Sequence, residues 1–395
     1  METNTSIKGF KAAYTACGLK KNNAHDIALI YSEAPAASAA VFTTNRVKAA
    51  PVIVSMENIA NGSARAIIVN SGNANACTGE EGLKNAKETT FLVAERLGIS
   101  PDEVLIASTG VIGAQLDMKK IEKAIPELVK NLNPEGINGV VKAIMTTDSF
   151  PKVSTFSAKV KGVEYHIMGL AKGAGMIMPN MATMLCFIMT DINISRPLLK
   201  KALAQGVNDS FNKITVDGDT STNDTVFVMA NGLAGNEEPD EASFNEFKKG
   251  LTHIMYDLAK MIVKDGEGAT KVIHISVKGA ASPQDAKNAA STIANSSLVK
   301  TAFYGEDPNW GRIMAALGRS GIEMKENMVD ILIDDIKIVK GGLGQGVERE
   351  KEAAVIMKNP EIFLTVELNV GVSNDWITTC DLTHDYVSIN ADYRS

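Results

Sequence analysis

The hydrophobic pattern of the chain changes period several times along its length. ARAIIVNSGNANA (64–76) is a nearly continuous apolar run closing in Gly and Asn, the pattern of a buried strand entering a turn. EEGLKNAKETTFLVAERLG (80–98) has helical spacing, and VLIASTGVIG (104–113) returns to a strand with a glycine-bounded end. LDMKKIEKAIPELVKNL (116–132) predicts a helix interrupted by Pro126. SRPLLKKALAQGVNDSF (195–211) predicts another, with Ser195 as cap and Pro197 in the first turn, followed by the strand TVFVMANG (225–232). The clearest amphipathic helix is SFNEFKKGLTHIMYDLAKMIVKD (243–265), with Phe244, Phe247, Leu251, Ile254, Leu258, Met261 and Ile262 on one stripe. It gives way to the alternating strand VIHISVKG (272–279). MVDILIDDIKIVKGG (328–342) then predicts a hairpin, EREKEAAVIMKN (348–359) a helix and EIFLTVELNVG (361–371) an alternating strand.

Strands alternating with helices define an α/β protein, a layered sandwich of β-sheet flanked by helices. At 395 residues the chain exceeds what one core usually holds, so two domains are expected: 1–280 and a smaller 281–395. SPQDAKNAASTIANSS (282–297) is small and polar, the composition of a boundary or of an Ala/Ser/Asn helix.

Composition narrows the function classes. A hydrophobic content of 45%, a net charge of −6 and no clustered basic stretch describe a folded chain without a nucleic-acid face. No run approaches the roughly 18 apolar residues of a membrane span, and the N-terminus lacks a signal-peptide core, so a cytoplasmic location is expected. Cys17, Cys77, Cys186 and Cys380 lie too far apart for a CxxC motif and are expected as free thiols; the five histidines form no zinc pair. DGDTSTNDT, from Asp217, alternates acids like a calcium loop but has Thr222 where that loop needs glycine and Val228 where it needs glutamate. No metal is expected there, and Asp217 or Asp219 serves either to buttress a site or in an Asx turn. GGLGQG, from Gly341, lacks the spacing of a nucleotide loop and is read as a connection.

The stretch KGAGMIMPNMATMLCFIM (172–189) raises a sharper question, because Thr183 stands where a Gly/Pro turn meets an apolar strand. Its hydroxyl either satisfies the strand end or attacks the carbonyl of Ala182. In the second case ester hydrolysis leaves Thr183 as a new N-terminus, whose α-amine, with a pKa of roughly 7.7–8.0, is a built-in base for the hydroxyl.

KGAGMIMPNMATML resembles the processing site of the ornithine acetyltransferase family, the bifunctional glutamate N-acetyltransferases of arginine biosynthesis. The resemblance spans the chain in order: AASAAVFTTNRVKAAPV, IIVNSGNANACTG, IASTGVIG, IMTTDSFPK, TVDGDTSTNDT, VKDGEGATK, FYGEDPNWGRI and the terminal YVSINADYRS. It implies a fold related to self-processing aminopeptidases and a cut between Ala182 and Thr183, giving an α chain 1–182 and a β chain from 183. It further implies that Thr183 takes acetyl from N-acetylornithine and passes it to glutamate, with Thr109 and Gly110 as oxyanion hole. Thr146, with Thr147 its neighbour, would bind substrate together with Lys172, Glu267, Asn390, Ser395 and Thr183 itself. Ser149 departs from the family pattern, which leads to threonine, but keeps a hydroxyl.

No bound cofactor is expected, with acetyl-CoA a co-substrate in bifunctional members. The resemblance also implies a heterotetramer of two α and two β chains, and no nucleic-acid or membrane partner. Two alternatives remain open on the residues alone: an amidohydrolase or aminopeptidase with the same nucleophile, and a metabolite-binding protein with a structural Thr183.

Overall fold

Fourteen strands in two sheets and eleven α-helices make up the described residues, 6–178 and 184–392, of the computed structural model. The first sheet holds β1 (Phe10–Thr15), β2 (Ile27–Phe42), β3 (Ser63–Asn73), β4 (Val104–Val111), β5 (Lys152–Val160), β6 (Val163–Lys172), β7 (Leu185–Thr190) and β8 (Thr225–Ala230). Its order is β4-β3-β2-β8-β7-β6-β5, with β1 on β2; β3/β4 and β7/β8 are parallel and the other pairs antiparallel.

The long strand β2 joins two halves of this sheet. Ile27–Tyr31 pair with β3 and Ala37–Phe42 with β8, and the β2/β3 register is irregular between Tyr31 and Ala36. Pro35 lies in that interruption, where it has no N–H to give to a ladder. The two halves face each other. Ile67, Val69 and Leu105 from one half and Met168, Phe187 and Phe227 from the other share one core, roofed by α4 (Ile137–Ile144). Alternate residues point outward. Ile68, Val104 and Ile106 meet α1 (Ala50–Asn58), α2 (Gly79–Leu97) and α3 (Met118–Lys130), whereas Ile167, Ile188 and Val228 meet α5 (Arg196–Asn208) and α6 (Glu241–Lys264). The result is a helix–sheet–sheet–helix stack.

The second sheet has the order β12-β11-β10-β13-β9-β14. Its strands are β9 (Val272–Ala280), β10 (Asp330–Ile333), β11 (Ile336–Lys340), β12 (Leu343–Gly344), β13 (Glu361–Glu367) and β14 (Ser373–Cys380). The helices α7 (Pro283–Ala294), α8 (Ser297–Tyr304), α9 (Trp310–Gly318) and α10 (Val347–Ile356) contribute to its single core. The small polar segment 282–297 is therefore largely helix: α7 begins where the Ser282 side chain accepts the Asp285 N–H. β9 already belongs to this sheet, ahead of residue 281. The last helix, α11 (His384–Asp392), returns to the first sheet's loops.

Two local expectations are corrected. α3 runs straight through Pro126 instead of breaking there. Pro126 and Glu122, whose carbonyl loses its helical partner, are exposed, while Ile121, Ala124, Ile125 and Leu128 are buried, and that apolar stripe carries the helix onward. Ser195 does occupy the N-cap of α5, but its side chain makes no capping bond; its N–H donates to Glu238. The four cysteines are free thiols, two of them buried, and no described helix is long and apolar enough to cross a membrane.

Pro126→Ala restores one helical hydrogen bond at a solvated position. It is expected to stabilise the protein by about 1–3 kcal/mol, less than the full helix penalty of proline because the unfolded chain also gains freedom. Denaturant titration checks this; a variant no more stable than wild type would show that α3 has adapted to the proline.

Candidate active site

Where the first sheet's strands end, six loops and one helix line a cleft. Thr109, Gly110, Thr146, Lys172, Glu267 and Asn390, far apart in sequence, all line it, and Thr147 lines it too. Ala182, Thr183 and Ser395 lie outside the described residues.

Each lining residue is placed by a nearby structural constraint. Lys172 closes β6, paired with Leu185 at the start of β7. The β7 strand thus begins two residues later than a start at Thr183. Thr109 and Gly110 end β4 alongside Ser71 and Gly72 of β3. Gly110 has φ +131°, and a Cβ there would fall 2.4 Å from the Gly72 carbonyl carbon, so only glycine lets the two strand ends approach. Asn223 ties the same region together, its side-chain amide donating to the carbonyls of Ala74 (2.7 Å) and Ser108 (2.8 Å). Glu267 follows α6, its N–H bonded to Ala174, and its carboxylate packs against Gly175, where a Cβ would come within 2.4 Å of it. Asn390 of α11 donates to the Glu267 carboxylate at 2.8 Å.

Lys172 is the electrostatic centre. Its ammonium donates to the hydroxyls of Thr146 (2.8 Å) and Thr109 (3.2 Å) and stands 4.0 Å from Asp148. A hydroxyl that accepts from an ammonium keeps its own proton for another acceptor. Thr109 is thereby set up as a donor beside Gly110, the pairing an oxyanion requires. Burial pulls the Lys172 ammonium below its ordinary value, and Asp148 opposes that pull. With Glu267 on the same wall, the cleft offers a cation and an anion together, a match for the charges of an amino acid.

Sequence reasoning left Asp217 open between a buttress and an Asx turn and gave Asp148 and Asp224 no role, and the fold brings all three acids to this site. Asp148 accepts the N–H groups of Thr146 (2.9 Å) and Gly173 (2.7 Å). Asp217 accepts those of Met176 (2.6 Å) and Ile177 (2.9 Å) and the Tyr386 hydroxyl of α11 (3.3 Å), so it braces the chain leading to the apolar strand. Asp224 is fully buried; one oxygen accepts the Met184 N–H at 2.9 Å, while the other has no partner among the described residues. Burial raises the Asp224 carboxyl well above the usual carboxylate range. The quoted blocks IMTTDSFPK and TVDGDTSTNDT contain these acids, but nothing in their spacing tells a buried acid from a solvated one.

A model of the ArgJ family matches residues 11–395. The chain belongs to the ArgJ family. The arginine biosynthesis bifunctional protein ArgJ of Geobacter sulfurreducens is 50% identical over 392 residues, covering 99% of this chain and 100% of its own length. Its counterpart in Desulfotalea psychrophila is 48% identical over 391 residues, covering 98% and 100%. The crystal structure of the arginine biosynthesis bifunctional protein ArgJ from Bacillus halodurans matches at 46% identity, covering 51% of this chain and 96% of that one, with a TM-score of 0.49. In this ArgJ chain the blocks IASTGVIG, IMTTDSFPK, TVDGDTSTNDT and VKDGEGATK place residues on the strand ends and loops that line the cleft, and YVSINADYRS brings Asn390 there on α11.

The Asp224 carboxyl makes a testable contribution to stability. Because its folded value lies above its unfolded one, wild type loses stability as pH rises from the carboxylate range toward the raised value. Asp224→Asn removes that loss. In urea unfolding its midpoint, relative to wild type, is expected to be higher near pH 8 than near pH 5, with the acid side set by the ordinary carboxylate range of about 4. The same offset at both pH values would contradict a raised Asp224.

Proposed function

We propose that the chain is an acetyltransferase of arginine biosynthesis that moves acetyl from N-acetylornithine to glutamate through an ester on Thr183. The Thr183 hydroxyl attacks the Ala182 carbonyl, the peptide C–N bond breaks as the Thr183 nitrogen gains a proton, and water hydrolyses the ester. The freed α-amine then serves as base for the same hydroxyl. Attack on the acetyl carbonyl of N-acetylornithine releases ornithine and leaves acetyl-Thr183. The amine of glutamate attacks that ester, giving N-acetylglutamate and restoring the hydroxyl.

The observation that carries this reading is the make-up of the cleft. Thr109 and Gly110, which this reading assigns to the oxyanion, line one cleft with a buried cation and an acid, and the lining comes from both sides of residue 182. Lys172 suits a substrate carboxylate and Glu267 a substrate ammonium, with Thr146 and Asn390 beside them and Ser395 completing the set from the tail. Acetyl-CoA is a second acetyl donor in this reading, and no resident cofactor takes part. We further assign the protein to the cytoplasm, on its acidic composition and free thiols, as two α and two β chains.

Intact mass and N-terminal sequencing test the first step: wild type yields two chains, the second beginning TMLCFIM, and Thr183→Ala stays whole. A wild type that remains one chain ends the proposal. Processed enzyme supplied with N-acetylornithine should release ornithine in amounts that depend on glutamate; acetate appearing without glutamate would make it a hydrolase. Thr109→Val should lower kcat by roughly 100- to 1000-fold, as expected for loss of one oxyanion donor, and an unchanged kcat would remove Thr109 from that role.

A further inference from the structure

Beneath the cleft lies a cluster of charges that the proposed reaction does not use. The side chains of Lys152 and Asp148 are 0% exposed and that of Asp265 is 4% exposed. Lys152 bridges the two acids at 2.7 Å to Asp148 and 2.5 Å to Asp265. Ser149 closes the cluster by donating both its N–H and its hydroxyl to Asp265. Sealed ion pairs of this kind add little net stability relative to apolar packing, so their placement asks for another reason.

Asp148 supplies one. Its Oδ1 takes Lys152 and the Gly173 N–H, while its Oδ2 takes the Thr146 N–H and faces Lys172 at 4.0 Å. Lys172 itself is almost fully buried, at 5% side-chain exposure. A lone ammonium in such a place gives up its proton unless an anion faces it. The other charged groups around it are Lys152 on β5, Lys20 on the loop before β2, Glu267 after α6 and Asp224 before β8. Both lysines work against the charge on Lys172. Glu267 is bonded to Asn390, and burial drives Asp224 toward its neutral form. Burial acts to raise the Asp148 carboxyl as well, but the Lys172 and Lys152 ammoniums outweigh it and hold Asp148 at about 2.

We propose that Asp148 is a positioning residue that keeps Lys172 charged and directed at the Thr109 and Thr146 hydroxyls, with Lys152 and Asp265 holding Asp148 in place. Without it, the Lys172 ammonium gives up its proton more readily, its grip on a carboxylate weakens and Thr109 is held less firmly as a donor into the cleft. The inference rests on the proposed acetyl transfer only for its kinetic consequence.

The test follows the protonation of Lys172 directly. Processed wild type and Asp148→Asn are trace-labelled with dinitrofluorobenzene across a pH series, and the Lys172 peptide is quantified by mass spectrometry. In Asp148→Asn the half-point of labelling is expected to fall by about one to three pH units, the usual effect of one opposite charge at this range. The alkaline decline of kcat/KM falls with it. Asp148→Glu, which keeps an anion opposite Lys172, is expected to hold the half-point within about one pH unit of wild type and keeps the experiment decisive if Asp148→Asn does not fold, since a larger fall there would show that the anion does not set it. A Lys172 half-point that Asp148→Asn leaves unmoved overturns the proposal, as does a pH profile in Asp148→Asn that keeps its wild-type shape under a uniform loss of rate. If wild type transfers no acetyl, the reaction reading fails on its own while the labelling result still decides the role of Asp148.

Discussion

The site depends on one topological fact: β7 and β8, from the second half of the chain, are hydrogen-bonded between β2 and β6, from the first half. The β6/β7 ladder that holds Lys172 and the β2/β8 ladder beside the loop before β8 both cross the position of the proposed cut. Cys186, Ile188 and Val226 on one face of those strands and Phe187, Met189 and Phe227 on the other fill the cores on both sides of the sheet. A peptide bond broken at residue 182 therefore changes the covalent chain without releasing any packed surface. Two products of that cut would stay together for the same reason that the uncut chain folds, because neither would hold the first sheet complete.

Around that frame, charge is buried in a deliberate arrangement. Asp26, itself fully buried, accepts four successive backbone N–H groups, from Cys17 to Lys20. The loop so formed delivers the Lys20 ammonium to the carbonyls of Ala143 (3.0 Å) and Met145 (2.6 Å), at the C-terminus of α4, where a cation is favoured. Burial lowers Lys20 to about 8 against the pull of Asp26. The residue after Met145 is Thr146, so an acid near the N-terminus indirectly sets the position of a hydroxyl in the cleft. Such chains of polar contacts, each satisfied by the next, keep several ionisable groups within a small volume without leaving them unpaired.

How much of this was legible in the sequence depended on how local each feature is. Helices with a strong apolar stripe, such as α6, and strands that are plainly apolar or alternating, such as β8 and β13, are visible from period alone. The longest strand, β2, is not: IALIYSEAPAASAAVF is alanine-rich, carries a proline and changes partners midway, so it has no single period. Pro126 misleads for the opposite reason, since local chemistry predicts a break that four buried neighbours override. Within the site, Thr109, Gly110, Thr146, Lys172, Glu267 and Asn390 are legible through motif resemblance, whereas Asn223, Asp148 and Asp224 are not, because what each of them touches is decided by elements far away in the chain. Fold class is written in periodicity; electrostatics is written in packing.

The last helix illustrates a different economy. α11 has no buried residue, and its ties to the body are mainly polar, Thr383 to Gly268, Tyr386 to Asp217 and Asn390 to Glu267, with one edge-on ring contact between His384 and Tyr304. Gly268 allows that close seating, since a Cβ there would stand 2.7 Å from the Tyr386 nitrogen. A helix held in this way has little apolar adhesion to resist a pull along the chain that follows it. The drag and charge of an affinity tag fused after Ser395 would act through α11 on the Asn390 contact with Glu267 in the cleft. The engineering choice that follows is to carry tags at the other end of the chain.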